Sequence, residues 1–133
     1  MVMVSYIVID QNENWYICDF GNATVIPKTI PHTLLTEGGT EDYHAPELFV
    51  DEEETSYTTK IDIWSLGVSI YEAILHQRPF NNSKWVTRIP FSKWPEVEII
   101  PKEYIPFLTH SLVINPNDRY WATQLLTLLP NTY

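Results

Sequence analysis

The sequence predicts a mainly α-helical domain carrying one short β-hairpin, and three observations point to it. Residues 59–75 are apolar at almost every helical phase, with Asp62, Ser65, Ser69 and Glu72 gathered into one narrow polar stripe. Residues 6–9 and 15–18 are β-branched and aromatic runs joined by Asp10-Gln11-Asn12-Glu13-Asn14, which is a hairpin signal. Further on, residues 103–113 carry Ile105, Leu108 and Leu112 at helical spacing, and residues 121–129 read as a last helix with Leu125, Leu126 and Leu129 facing inward. One hairpin followed by about five helices is the expected order.

Length and composition bound the rest. A chain of 133 residues suffices for one domain with a modest core. At 44% hydrophobic and 14% aromatic it is too apolar to remain disordered. A formal charge of −9 argues against a nucleic-acid-binding or anionic-membrane surface. The single cysteine, Cys18, leaves no internal disulfide and fits a reducing compartment. No stretch reaches membrane-spanning length. The Met1-Val2-Met3-Val4 start lacks the basic flank and cleavage pattern of a signal peptide. The expectation is an intracellular chain of the cytoplasm or nucleus.

Each element has its local reason. Asp19-Phe20-Gly21 follows the second strand directly, and residues 22–44, with Pro27, Pro31, Gly38, Gly39 and five threonines, read as a long loop. A loop of that length inside a domain is usually functional. Residues 45–49 read as a short helix with Pro46 near its start. The acidic run Asp51-Glu52-Glu53-Glu54 reads as a solvated loop. The helix over residues 59–75 is too polar and too short for a bilayer and is therefore a buried one, capped by Thr58 or Thr59. Pro79 prevents its continuation. Residues 83–88 suggest a short helix, residues 89–101 irregular chain, and Asn115-Pro116-Asn117-Asp118-Arg119 a turn.

Four pieces thus stand in order: Asp19-Phe20-Gly21 after a strand; Gly39-Thr40-Glu41-Asp42-Tyr43-His44-Ala45-Pro46-Glu47 at a loop's end; Asp62-Ile63-Trp64-Ser65-Leu66-Gly67 on the central helix; and Asn115-Pro116-Asn117-Asp118-Arg119. Together they resemble the C-terminal lobe of a eukaryotic protein kinase of the Ser/Thr type. The likeness runs from just before its last hairpin to its final helix and covers nearly the whole chain. The implied fold is that lobe of an α+β kinase, without the upper lobe, as one partial kinase domain over residues 1–133.

The resemblance also assigns roles. Asp19, with Phe20 and Gly21, matches the motif whose aspartate holds Mg²⁺ against the phosphates of ATP. Residues 19–47 match the activation segment. Gly39 and Thr40 match the signature beside the catalytic base, and Thr36 falls where many kinases are phosphorylated, although as a residue it reads equally as an ordinary loop threonine. Glu47 and Arg119 match a buried structural ion pair. Asp62 matches an anchor for the backbone of the catalytic loop; taken alone, it is equally a first-turn cap on the helix dipole. His32, His44, His76 and His110 lack ligand spacing, so no metal beyond a weakly held Mg²⁺ at Asp19 is expected. Cys18 reads as a small packing residue.

The departures from that pattern shape the functional expectation. The 133 residues hold no glycine-rich loop, no strand lysine with a helix glutamate partner, and no His-Arg-Asp. Counting back from Asp19, the second metal-binding position falls on Tyr6, the catalytic lysine on Met3 and the catalytic aspartate on Met1. None of these side chains replaces the chemistry required, so no catalytic residue and no Mg-ATP binding are expected of this chain alone. An upstream helix that would cover the central helix is also missing. A few hundred Å² of open apolar face would forfeit on the order of 5–10 kcal/mol and invite self-association or a partner. Three readings follow: the C-lobe portion of a Ser/Thr kinase acting on protein substrates, inactive by itself; a truncated decoy or inhibitor that binds another kinase or its substrate; or a scaffold presenting residues 80–100.

Overall fold

A helix, α1, Lys60–Leu75, contributes Ile61, Ile63, Trp64, Val68 and Tyr71 to the buried core. The computed structural model describes residues 7–23, 25, 40–49, 57–79 and 89–129. Thr36 and Gly39, the Tyr6, Met3 and Met1 positions, the acidic run at 51–54 and the expected helix at 83–88 lie outside these residues.

The start of α1 is fixed by threonine chemistry. Thr58 Oγ1 accepts from the Lys60 N–H at 3.3 Å, and the carbonyls of Thr58 and Thr59 each take an amide of the first turn. At the other end His76 adopts a left-handed conformation (φ 55°), and its N–H closes on the Glu72 carbonyl at 2.7 Å. The chain therefore turns at His76, three residues ahead of the proline expected to stop it. Ile61, Trp64, Val68 and Tyr71 are fully buried along this helix. Each side chain of that size removes enough apolar area from water to contribute about 1.5–3 kcal/mol.

Two further α-helices stand among the described residues: α2, Ile105–Ser111, which packs on α1, and α3, Ala122–Leu125, which packs on α2. Pro106 stands at the first turn of α2, where its missing N–H is harmless. The close approach of α1 and α2 depends on Gly67, because a Cβ there would lie 2.6 Å from Ser111 Oγ and 2.8 Å from Leu112 Cδ2. Short 3₁₀ turns at Phe91–Lys93 and Val97–Ile99 replace the irregular chain expected at 89–101. They bring Phe91 and Trp94 edge-on to the core aromatics, with Trp94 packed against Trp64, Tyr71 and Phe91. The Trp94 indole N–H donates to the Ile89 carbonyl at 2.9 Å, and the Tyr71 hydroxyl donates to that of Pro95.

The expected last helix is corrected. After four α-helical residues the chain tightens into a 3₁₀ turn, Leu126–Leu128. Residues three apart eclipse in that geometry, so Leu125 is buried and Leu128 packs behind it. Leu126 (66% exposed) and Leu129 (45%) face solvent instead of the core. The helix expected at 103–113 likewise shortens to Ile105–Ser111, since residues 102–104 form a turn ahead of it.

The hairpin pairs β1, Ile7–Ile9, with β2, Trp15–Ile17, antiparallel in the register Ile7–Ile17, Val8–Tyr16, Ile9–Trp15. Asp10 organises its turn, its carboxylate accepting from the amides of Asn12 and Asn14, the Asn14 side chain and the Tyr16 hydroxyl. Those bonds, the Asn14 side chain first, hold the Asp10 carboxyl below the usual range. Trp15, Tyr16, Ile17 and Phe20 are all exposed. This differs from the expectation of a bare face on the central helix. Leu66, Ile70, Ile74 and Leu75 of α1 are half-buried against the core, and among the described residues exposed apolar side chains stand on the hairpin (Val8, Trp15, Tyr16, Ile17) and also at Phe20, Ile99, Tyr104, Trp121 and Leu126.

Candidate functional site

Arg119 closes the fold through a side-chain contact that spans 72 residues. Nη1 and Nη2 hold Glu47 Oε1 and Oε2 at 2.8 and 2.9 Å, a two-pronged pairing that matches the planar fork of guanidinium to a carboxylate. The remaining donors go to backbone carbonyls: Nε to Val113 at 3.0 Å, Nη1 to Lys60 at 2.8 Å, and Nη2 to Ile114 at 3.4 Å. The Arg119 side chain has no exposed surface and Glu47 retains 12%. The guanidinium also lies over the Trp64 ring, 5.2 Å from its centroid. Glu47 reaches this position because the 3₁₀ turn Pro46–Phe49 sets it beside the start of α1. Arg119 reaches it through the turn in which Asn115 binds the Asp118 carboxylate and the Asn117 amide.

The segment ahead of Glu47 is fastened by the polar stripe of α1. A 3₁₀ turn, Glu41–Tyr43, begins after Thr40, whose carbonyl accepts from the Tyr43 N–H. Ser65 Oγ donates to the Tyr43 carbonyl at 2.8 Å, and the Tyr43 hydroxyl donates to Glu72 Oε2 at 2.5 Å. Burial and then the Glu72 bond push the Tyr43 phenol up to about 12. Burial does the same to Tyr71, with the Glu96 charge assisting. On the surface, Arg78 pairs with Asp42, adding a tether of small energetic weight.

Asp19 stands apart from this network. It occupies a left-handed conformation (φ 61°) at the exit of β2, exposed, with Oδ1 accepting from the Gly21 N–H at 3.3 Å. Phe20 is 60% exposed beside it. Among the described residues no three His, Cys, Asp or Glu side chains gather as metal ligands. The exposed Asp19 carboxylate supplies one oxygen-donor group at this position. Asp62 lies half-buried in the first turn of α1, and Thr40 is exposed. The catalytic-loop backbone that Asp62 was expected to bind falls outside the described residues. Cys18 is half-buried. No described helix is long and apolar enough to cross a membrane.

Two participants were not anticipated. Tyr43 serves as the ligand of the stripe at both its carbonyl and its hydroxyl. The only advance signal was the polar stripe itself. Lys60 is buried, and its Nζ donates to the carbonyls of Pro116 at 2.8 Å and Asn117 at 3.2 Å while lying 4.6 Å over the Trp121 ring. A cation in the first turn opposes the helix dipole, and that mismatch was the available clue.

Comparison with known proteins places this architecture. The family described as "Protein kinase domain" matches residues 4–128. Serine/threonine-protein kinase SCH9 of Saccharomyces cerevisiae is 38% identical over 121 residues, which is 87% of this chain and 14% of that protein. Serine/threonine-protein kinase 32C of Mus musculus is 29% identical over 133 residues, 94% of this chain and 27% of that protein. Calcium/calmodulin-dependent protein kinase cmkB of Emericella nidulans is 26% identical over 125 residues, 88% of this chain and 30% of that protein. The chain thus spans less than a third of the length of these curated relatives. It belongs to the protein kinase domain family.

Proposed function

We infer that the chain is the C-terminal lobe portion of a Ser/Thr protein kinase, the part that presents the activation segment for phosphoryl transfer to protein substrates. The observation that carries this reading is the two-pronged Glu47–Arg119 pair, which ties the segment to the last turn across 72 residues. The Tyr43 bonds to Ser65 and Glu72 support it by fastening the same segment along α1. In this reading Asp19 is the lobe's contribution to Mg-ATP, and Thr40 lies beside the position of the transferring group. Mg-ATP supplies the phosphoryl group in the family. Among the described residues Asp19 is the carboxylate this reading assigns to it, and the 133 residues alone are expected not to transfer phosphate.

The open hairpin favours a second reading, a binding module that docks on another kinase or its substrate through Trp15, Tyr16 and Phe20. Phosphotransfer from labelled ATP to a mixed protein substrate separates the two. The assay compares the 133-residue chain with the polypeptide extended by its upstream coding sequence. The expected result is no transfer by the shorter chain, and transfer by the longer one that Asp19→Asn abolishes. Transfer by the shorter chain overturns its inactivity. A longer polypeptide without transfer, or an upstream stop codon, overturns the enzyme reading in favour of the binding module.

A further inference from the structure

Lys60 works against its surroundings in three ways. It is 6% exposed, so its ammonium has lost most of its hydration. It occupies the first position of α1, where the helix dipole repels a cation. It also shares its corner with the buried Arg119 guanidinium. Burial first, and then Arg119, push the Lys60 ammonium below its usual range, while Asp118 and Glu47 oppose them. A neutral side chain would avoid all three penalties.

What the lysine gains is a grip on one turn. Its Nζ donates to the carbonyls of Pro116 and Asn117 and rests over Trp121, so its contacts bracket Arg119, with Asn117 two residues before it and Trp121 two residues after. Its own backbone carbonyl accepts from Arg119 Nη1 at 2.8 Å. One residue therefore holds the turn that delivers Arg119 and also one prong of the guanidinium itself. Beside it lies a cavity of about 140 Å³ bordered by Glu47, Tyr57 and Trp121. That space gives the turn somewhere to move if the tether is cut.

We propose that Lys60 is a positioning residue: it sets the 115–119 turn so that Arg119 meets Glu47, and through that pair it docks residues 40–49. The proposal rests on reading those residues as a docked segment, and its test needs no catalytic activity. Hydrogen exchange of the amides of Tyr43, His44 and Leu48, each bonded within the segment, reports docking. The amides of His76 and Trp94, bonded elsewhere, report the rest of the fold.

In the 133-residue chain, Lys60→Met should speed exchange at the three segment amides by about tenfold, with His76 and Trp94 unchanged. Lys60→Arg, which can still donate to both carbonyls and stack on Trp121, should restore protection. Unchanged segment exchange overturns the proposal, as does a uniform rise that Lys60→Arg fails to reverse. Should Lys60→Met not fold, acylation of the wild-type chain decides. Lys60 should react at least about tenfold more slowly than the exposed Lys93 and Lys102, and equal rates overturn the proposal. A failure here leaves the phosphotransfer result untouched, and an absence of phosphotransfer leaves the exchange result standing.

Discussion

Tyr43 and Glu72, 29 residues apart in sequence, meet through a hydrogen bond in which the tyrosine hydroxyl donates to the glutamate Oε2 at 2.5 Å. Together with the Ser65 bond to the Tyr43 carbonyl, it converts a polar stripe on an otherwise apolar helix into a dock for the segment. Tyr43→Phe removes a bond to a charged acceptor, and a loss of about 1–2 kcal/mol is expected because the site is half-buried. Urea denaturation measures it, and a neutral substitution would place the hydroxyl in solvent.

The same phenol gives a pH signature. Free tyrosine loses its proton near 10, whereas Tyr43 and Tyr71 hold theirs until about 12. The folded state therefore binds more protons than the unfolded state across that window. Stability from these two groups is complete below pH 10 and falls as pH rises to 12. Lys60, shifted the other way, works in the opposite sense, adding stability as pH approaches its ordinary range. Denaturant midpoints from pH 9 to 12 should decline in the wild type and decline less in Tyr43→Phe. Equal slopes would mean that burial and Glu72 do not hold the Tyr43 phenol above its ordinary range.

Gly67→Ala offers a test whose sign decides. In an exposed helix interior the change gains about 1 kcal/mol from propensity. Here the added methyl meets Ser111 Oγ at 2.6 Å and Leu112 Cδ2 at 2.8 Å, and overpacking of that kind costs about 1–3 kcal/mol. A net loss is expected, partly recovered by adding Ser111→Ala. A stabilised Gly67→Ala would show that α1 and α2 do not cross there.

The leucines near the chain's end make a paired comparison. Leu125→Ala empties a buried site and should cost about 2–5 kcal/mol, while Leu126→Ala should stay within about 0.5 kcal/mol. Equal losses would restore the continuous helix that the sequence suggests.

The legible parts of this chain are those with a local period. The apolar phase of residues 61–75 and the two β-branched runs each produce an element near the expected place. Leu126 was misread because a 3.6-residue period was assumed where the chain tightens to three residues per turn. The Glu47–Arg119 contact has no local signal, since 72 residues separate its members, and only the ordered motifs bring it to attention. Lys60 and Tyr43 escaped for a related reason. A lysine in a first turn and a tyrosine in a loop look solvated until their long-range acceptors, Asn117 and Glu72, are in place.

Nucleotide binding by the chain alone should be weak. Asp19 stands exposed with the Gly21 amide as its neighbour, and calorimetry with ATP and Mg²⁺ should detect no affinity tighter than about 1 mM. Micromolar binding would show that further ligands complete the site.

The kinase-lobe reading rests on the Glu47–Arg119 pair, and a double-mutant cycle on those two residues tests it most directly. Glu47→Ala and Arg119→Ala each strand a buried charge and should each cost about 3–5 kcal/mol, or strip native order from residues 40–49. The double variant should lose clearly less than the sum of the two, because neither charge is then left alone. Additive losses under about 1 kcal/mol each, the behaviour of an exposed pair, would contradict it.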